Sequence, residues 1–519
     1  MKRIAIIGGG IAGLAAAYEL ARLSQDGAPI EAVLFESSAR FGGVIETVRE
    51  GGFTVEAGPD AWVSAKPWAR ELAIELGLEA ELTPSNDASR KTHIFLATPQ
   101  NPSGSLVAMP DGFHMMVPTN LDALDHSPLF SPAAIAAYRA EPGRADELLA
   151  SIPSGDESVA DFTLRHFGPE VLARVAAPLL SGVFGGDVRT LSVRAVMPAF
   201  VQMERTHGSL IAALQAQSST TSNQQPATPI FTTLRTGLGT LVDRIVAAIP
   251  PQWLRLHTTV TAIRAEQTSG STSHPRWTVE TSGAGKRAAS ESFDAIFLAT
   301  PLDVTRRLLA PLDPAAAQLL PAESSSAVLV AFAYADASRL PLPAGFGFLV
   351  PPDFAQATDP GAPHLDSGMW VQSAPSLLLA CTFADQKFPH RVPPNGRLVR
   401  AFFGGAAADR IARCNNDEIA AVARLELARI LNANAPVTGP APTPAPVPVV
   451  TVVRRWPNSL PQYAVGHPAR IAELESRLAA LPGLTLLGNA LHGVGIPDLV
   501  QASRAAARAA ASSQPATDR

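Results

Sequence analysis

A chain of 519 residues is longer than one ordinary hydrophobic core supports, so two or three domains are expected. Apolar residues make up 46% and charged residues 17%, and a formal net charge of −5 gives no reason to expect nucleic-acid binding. Cysteine occurs at Cys381 and Cys414 alone, which does not indicate a disulfide framework and fits a reducing compartment.

In chain order, the first predicted element is the apolar strand Ile4–Ile7, which is too short for the core of a signal peptide. A glycine turn follows, then a helix from about Ile11, a second strand through Val33 to Phe35, and Glu36 at its end. Each part suits a dinucleotide. Gly8 allows the tight turn, Gly10 lets the backbone approach a pyrophosphate, and Gly13 lets the helix pack closely on the strand. The helix points its positive end at the phosphates, and Glu36 is placed to accept hydrogen bonds from a ribose diol. Beyond it stand Arg40, Gly42 and Gly43, which fit a loop returning along a long cofactor and fit a plain turn equally well. The fingerprint by itself does not choose between NAD and FAD.

Further along, Pro99–Ser105 reads as a hairpin tip and Gln215–Pro229 as a polar loop. Asp156–Val201 carries helical apolar spacing. Leu254–Ile263, Trp277–Val279 and Phe293–Thr300 read as strands, with exposed turns at Thr268–Pro275 and Ser282–Ser290. Pro436–Pro448 is a stiff, proline-rich linker, Leu484–Asn489 a short buried strand ending in a turn, and Ser512–Arg519 a frayed end. No segment approaches the roughly 18 uninterrupted apolar residues of a membrane span. A Ser-His-Asp order, an HExxH motif and metal-ligand Cys/His spacing are all missing, and the eleven histidines are scattered.

The Glu36, Arg40, Gly42-Gly43 pattern resembles the signature of FAD-dependent amine oxidases, phytoene desaturases and porphyrinogen oxidases. The remaining chain resembles the protoporphyrinogen oxidase family, including bacterial enzymes that oxidise coproporphyrinogen III. The likeness runs through Phe53–Ala61, Lys66-Pro67, Ala88–Lys91, Phe113–Thr119, Phe167–Ser192 and Glu204–Leu210. It continues through Gly347–Pro351, Phe388–Pro393, Gly404-Gly405, Arg455–Tyr463, Gly488-Asn489 and Gly493–Asp498. Two departures stand out. The family often has Cys and then Gly after Ile-Pro-Asp, where this chain has Leu499 and Ala502 or Ser503, and Phe184 replaces a common Tyr.

The resemblance implies an α/β plus α+β protein with a discontinuous Rossmann-like FAD-binding domain, a mixed-sheet substrate domain and a helical, membrane-associating-type domain. The FAD domain is expected to comprise 1–51, 235–302 and 449–519. The substrate domain would take 52–110, 191–234 and 303–448, and the helical domain 111–190. The implied reaction is the six-electron oxidation of a porphyrinogen to a porphyrin in haem biosynthesis, with O2 as oxidant and hydrogen peroxide released. FAD is the implied cofactor. The hydride chemistry belongs to flavin N5, so no side chain is named as acid, base or nucleophile and no metal is expected.

By the same resemblance, Gly8, Gly10 and Gly13 underlie the pyrophosphate, Glu36 takes the ribose, and Arg40, Gly42 and Gly43 follow the cofactor inward. Gly58, Pro59, Asp60 and Ala61 flank the flavin ring, and Val260 presents its backbone to adenine. Trp456, with Val494, Gly495 and Ile496 at the start of the last helix, closes the site. Val260 and Trp456 fit core packing equally well. Arg90 is expected to pair with a substrate carboxylate, with Leu349 and Phe383 as apolar walls. Pro110–Val117 and Leu129-Phe130 are the segments expected to touch a bilayer, although nearby acidic residues argue against strong attachment to anionic lipid. The expected protein is cytoplasmic with at most peripheral membrane contact, and hands its product to other haem-pathway enzymes. The alternatives are an amine oxidase or carotenoid desaturase on the same scaffold, or a flavin- or porphyrin-binding carrier without turnover.

Overall fold

The computed structural model describes residues 1–98, 101–220, 229–266, 276–283, 286–352, 376–432 and 446–512. Two compact units emerge, each assembled from separated stretches of chain. The first is Met1–Ser85, Ala227–Ser324 and Asn458–Arg519, and the second is Asn86–Pro226 and Ser325–Pro457. Residues 52–85 lie in the first unit, and residues 111–190 lie in the second.

The first unit is built on a five-stranded sheet in the order Leu254–Arg255, Ile30–Phe35, Lys2–Ile7, Ala295–Leu298, Leu484–Leu486. Every pairing in it is parallel, with Ile4 opposite both Ala32 and Ala295. Such a sheet must be covered on both faces, which is why its strands read as unbroken apolar runs. On one face, helix Ile11–Gln25 and helix Ile496–Ser512 join a core rich in small residues, among them Ala12, Ala15, Ala16, Ala17 and Ala507. The other face packs Phe35, Val260, Trp277, Phe293, Leu308, Ile471 and Leu474.

A buried carboxylate fastens the two helices. Glu19 has no exposed side-chain surface and accepts hydrogen bonds from Arg22, Arg504 and Arg508, at 2.8, 2.7 and 2.7 Å. Arg504 also grips both oxygens of Glu75.

Three expectations need correction here. The single strand expected over Leu254–Ile263 is two strands, because His257 sits at φ 53° and turns the chain from the parallel sheet into an antiparallel one, Thr258–Glu266. Phe293 likewise ends the Lys286–Phe293 strand, and the return strand begins at Ala295 after Asp294, whose carboxylate takes the Arg3 N–H. Ser282–Ser290 is mostly strand rather than turn, since Arg276–Gly283 and Lys286–Phe293 pair across it. The turn expected at Thr268–Pro275 lies outside the described residues.

The second unit carries a seven-stranded mixed sheet. Its order is Val450–Pro461, Ser324–Tyr334, Arg397–Gly404, Ala380–Phe383, Gly347–Leu349, Thr92–Thr98, Asn101–Ala108. The Gly347–Leu349 and Thr92–Thr98 pair is parallel. The expected hairpin tip at Pro99–Ser105 is shorter than read, because strand resumes at Asn101. Of the expected polar loop Gln215–Pro229, the first part continues helix Leu210–Thr220, and 221–228 lie outside the described residues. The same holds for 436–445 of the proline-rich linker and for 513–519.

The Asp156–Val201 block is helical as its spacing requires, in short pieces from Val159–Phe167 to Ala177–Phe184. A π-helical turn, Leu172–Ala176, interrupts it. Pro178 lies just beyond, lacks an N–H, and its ring would crowd the Arg174 carbonyl in an α-turn, which a wider turn relieves.

Four of the residues expected to touch a bilayer turn inward. Met116, Val117, Leu129 and Phe130 are buried, Phe113 stacks on Phe130 at 5.8 Å, and the Tyr138 hydroxyl donates to the Met116 carbonyl. Apolar residues of a small helical layer are needed for its own core, and here they are spent on it. Among the described residues, no helix is long and apolar enough to cross a membrane.

Candidate functional site

In the first unit, the glycine turn is held by contacts that only glycine permits. A Cβ on Gly8, which sits at φ 109°, would lie 2.3 Å from the Ala299 carbonyl oxygen. A Cβ on Gly13 would lie 1.9 Å from the Gly8 oxygen, so the helix rests directly on the turn. Gly10 differs. Its φ is an ordinary −73°, and a Cβ there meets nothing within 4 Å among the described residues.

Gly10 also caps the Ile11–Gln25 helix, and no described side chain hydrogen-bonds to that cap. The first turn carries no acidic residue. An uncapped helix N-terminus facing open space offers backbone N–H groups and positive potential to an anion.

Glu36 and the loop after it wrap this opening. Glu36 Oε2 accepts from the Gly9 N–H at 2.8 Å, and Oε1 accepts from the Ser38 N–H at 2.7 Å. An ionised carboxylate has about four acceptor sites, which leaves capacity for hydroxyl donors. The Gly42 N–H donates to the Gly9 carbonyl at 2.8 Å, and a Cβ on Gly43 would come within 3.2 Å of Gly10 Cα.

Arg40 holds the loop that carries Gly42 and Gly43. Its guanidinium donates to the carbonyls of Phe41, Gly43 and Ile45, at 3.2, 2.5 and 3.0 Å, and pairs with Glu46. Arg40 is therefore a clip that shapes the Gly42-Gly43 loop. Sequence reasoning placed it along the cofactor, and spacing gives no sign of these hydrogen bonds to its own loop.

Gly58 begins the next segment, where a Cβ would lie 1.8 Å from the Val44 oxygen, and the Thr233 hydroxyl holds the Asp60 carbonyl at 2.9 Å. Pro59 and Ala61 are half-buried beside them. Val260 is buried, and its side chain belongs to the core under the sheet. Its backbone lies at an irregularity in the pairing with the neighbouring strand, between Val260 and Ala262.

Val494 and Gly495 precede the last helix, which starts at Ile496. Asp498 in its first turn pairs with Lys66 at 2.7 and 2.8 Å and sits against Gly493 and Gly495, whose Cβ atoms would lie 2.9 and 3.0 Å from it. Sequence reading quoted Lys66 and Asp498 within motifs but gave them no role. Nor did it single out Tyr463 and His467, whose hydrogen bonds hold the loop ahead of this helix.

The remaining predicted residues are in the second unit. Trp456 is half-buried on the strand Val450–Pro461. Arg90 is exposed at the end of the Asp87–Ser89 turn. Burial and then the charge of Arg90 hold the His114 imidazole below its ordinary pKa. Leu349 is partly buried against the helical core, with the Gly182 Cβ position 3.1 Å from its Cδ2, and Val183 beside that glycine is 55% exposed. Phe383 is fully buried and meets Phe348 edge-on at 6.1 Å, so its ring serves the sheet's core and presents no open face.

Comparison with known proteins gives concordant results. The family model described as flavin containing amine oxidoreductase matches residues 11–511. Coproporphyrinogen III oxidase of Bacillus subtilis (strain 168) is 32% identical over 510 residues, covering 97% of each chain. Human protoporphyrinogen oxidase is 29% identical over 542 residues, covering 99% of each. A solved structure from Exiguobacterium sp. 255-15 aligns with a TM-score of 0.76 at 28% identity, covering 99% of both chains.

Proposed function

The chain belongs to the flavin containing amine oxidoreductase family, and on that premise we propose that it oxidises a porphyrinogen to the porphyrin in haem biosynthesis. It is an FAD-dependent oxidoreductase with a flavin amine oxidase-type fold of mixed sheets and helices. The observation that carries the porphyrinogen reading is the span of the likeness. It runs through both compact units to enzymes named for porphyrinogens, rather than stopping at the nucleotide-binding sheet.

When bound, FAD would supply the hydride acceptor, N5, for a reaction with O2 as terminal oxidant. This chain's own residues bind and orient. The open helix N-terminus at Gly10 is suited to the pyrophosphate, and Glu36 to the ribose hydroxyls. Gly58–Ala61 and the Val494–Ile496 backbone flank the ring, and Val260 offers its backbone to adenine. The N-terminus of the last helix would place positive potential near a bound ring, and Lys66 offsets the charge of Asp498 that would otherwise weaken it.

In the second unit, Arg90 pairs with a propionate of the substrate, and Leu349 with the helix around Gly182 gives an apolar wall. Phe383 belongs to the core of the same sheet. Coproporphyrinogen III is the favoured substrate, with protoporphyrinogen IX as competitor. Product passes to the next haem-pathway enzyme.

The test is a side-by-side assay of FAD-loaded protein with both porphyrinogens, following oxygen uptake and porphyrin fluorescence. Oxidation of either well above the spontaneous rate is expected. Failure to outpace buffer on both would overturn the reading.

A further inference from the structure

We propose that Tyr463 and His467 are positioning residues that set the flavin-facing backbone at Val494–Ile496 by gripping the loop in front of it. The proposal rests on the FAD reading above. Both side chains are buried, at 2% and 3% exposure, and their rings stack at 4.0 Å with planes 12° apart.

Between them they engage three backbone groups of one short loop. The Tyr463 hydroxyl donates to the Asn489 carbonyl at 2.6 Å and accepts from the Gly493 N–H at 2.9 Å. His467 Nε2 lies 2.8 Å from the Leu491 carbonyl, which fixes the proton on Nε2, because a carbonyl only accepts. The loop answers in kind, as the Asn489 amide donates to the Ser459 carbonyl at 2.8 Å.

The loop itself has little rigidity of its own. It is bracketed by Gly488 at φ 113° and Gly493 at φ 130°, positions where the backbone swings with little steric resistance. Three residues after Gly493, helix Ile496–Ser512 begins. A hydroxyl that both donates and accepts is the one side-chain chemistry able to tie Asn489 O and Gly493 N at a single point. Burial makes each lost bond costly and pushes the Tyr463 hydroxyl well above its ordinary pKa, so it stays protonated and keeps its donor.

The pair therefore acts on the cofactor through the loop without touching substrate. Tyr463→Phe keeps the ring stack and removes both hydroxyl bonds. His467→Leu removes the third, and His467→Gln restores a donor near the Nε2 position. FAD affinity, by fluorescence titration of the apoprotein, and the visible flavin spectrum are read without any porphyrinogen. Failure of the substrate reading thus leaves this test intact.

Tyr463→Phe is expected to weaken FAD binding about five- to tenfold, the loss of one to two buried hydrogen bonds, and to shift the flavin absorption bands. His467→Leu is expected to do the same to a lesser degree, with His467→Gln recovering most of it. If Tyr463→Phe and His467→Leu lower the melting temperature while FAD affinity and spectrum stay within twofold and unshifted, the pair is packing only and the proposal falls.

Discussion

Glu36 Oε2 accepts a hydrogen bond from the Gly9 N–H at 2.8 Å, so the acid ending the second strand is tied to the turn ending the first. The carboxylate does two jobs on one charge, since Oε1 also takes the Ser38 N–H. Glu36→Gln keeps the shape but presents an NH2 group to one of these N–H donors. FAD affinity is expected to fall roughly tenfold, the scale of one charge-assisted hydrogen bond. Titration of apoprotein with FAD checks it, and an unchanged dissociation constant would remove Glu36 from the site.

Gly10 and Gly13 separate cofactor binding from folding. Gly10→Ala puts a methyl into open space at ordinary φ, so apoprotein stability should hold while FAD binding drops. Gly13→Ala puts one against the Gly8 oxygen and should destabilise the fold itself by about 1–3 kcal/mol. Melting curves with and without FAD distinguish the two; similar losses in apoprotein stability would contradict the assignment.

Much of the nucleotide-binding half was legible in the sequence because its demands fall on glycine and on apolar runs. Gly13 is required by its contact with Gly8 and Gly8 by the chain just after the return strand, and both left a pattern. What stayed hidden depends on direction. Spacing gives no sign that Arg40 hydrogen-bonds its own loop, and Phe383 reads as a substrate wall but faces the core. Leu254–Ile263 reads as one strand because His257 gives no local sign of its positive φ. Tyr463 and His467 act on a loop 26 and 24 residues away, beyond any spacing rule.

Acid should loosen the first unit through Glu19. Burial would raise its pKa, but hydrogen bonds from Arg22, Arg508 and Arg504 outweigh it and bring the carboxyl from 4.5 to about 2. With the folded pKa below the unfolded one, its stabilisation is complete above about pH 4.5 and is lost as pH falls toward 2. That linkage is about 3 kcal/mol at neutral pH. Glu19→Gln should lower the melting temperature at pH 7 and flatten the acid side of the stability profile. A mutant profile parallel to wild type between pH 5 and 2 would refute the linkage.

Arg90→Ala should raise KM for coproporphyrinogen III about tenfold with little change in kcat, because an exposed guanidinium contributes uniform binding. Arg90→Lys should recover only part, lacking the planar fork. Steady-state kinetics on both porphyrinogens decide it, and a fall in kcat at constant KM would place Arg90 elsewhere in the reaction.

The sheet order imposes a schedule on biosynthesis. Lys2–Ile7 pairs with Ala295–Leu298, which pairs with Leu484–Leu486, and Glu19 meets two of its three arginines only on the last helix. A ribosome must therefore emit the chain through Leu298 before the first strand has both neighbours, and through Leu486 before the sheet is complete. Until then an apolar strand and a carboxylate with Arg22 as its one local partner wait together at the start of the nascent chain. Slow maturation, chaperone demand and sensitivity to truncation at the far end follow from that order of arrival.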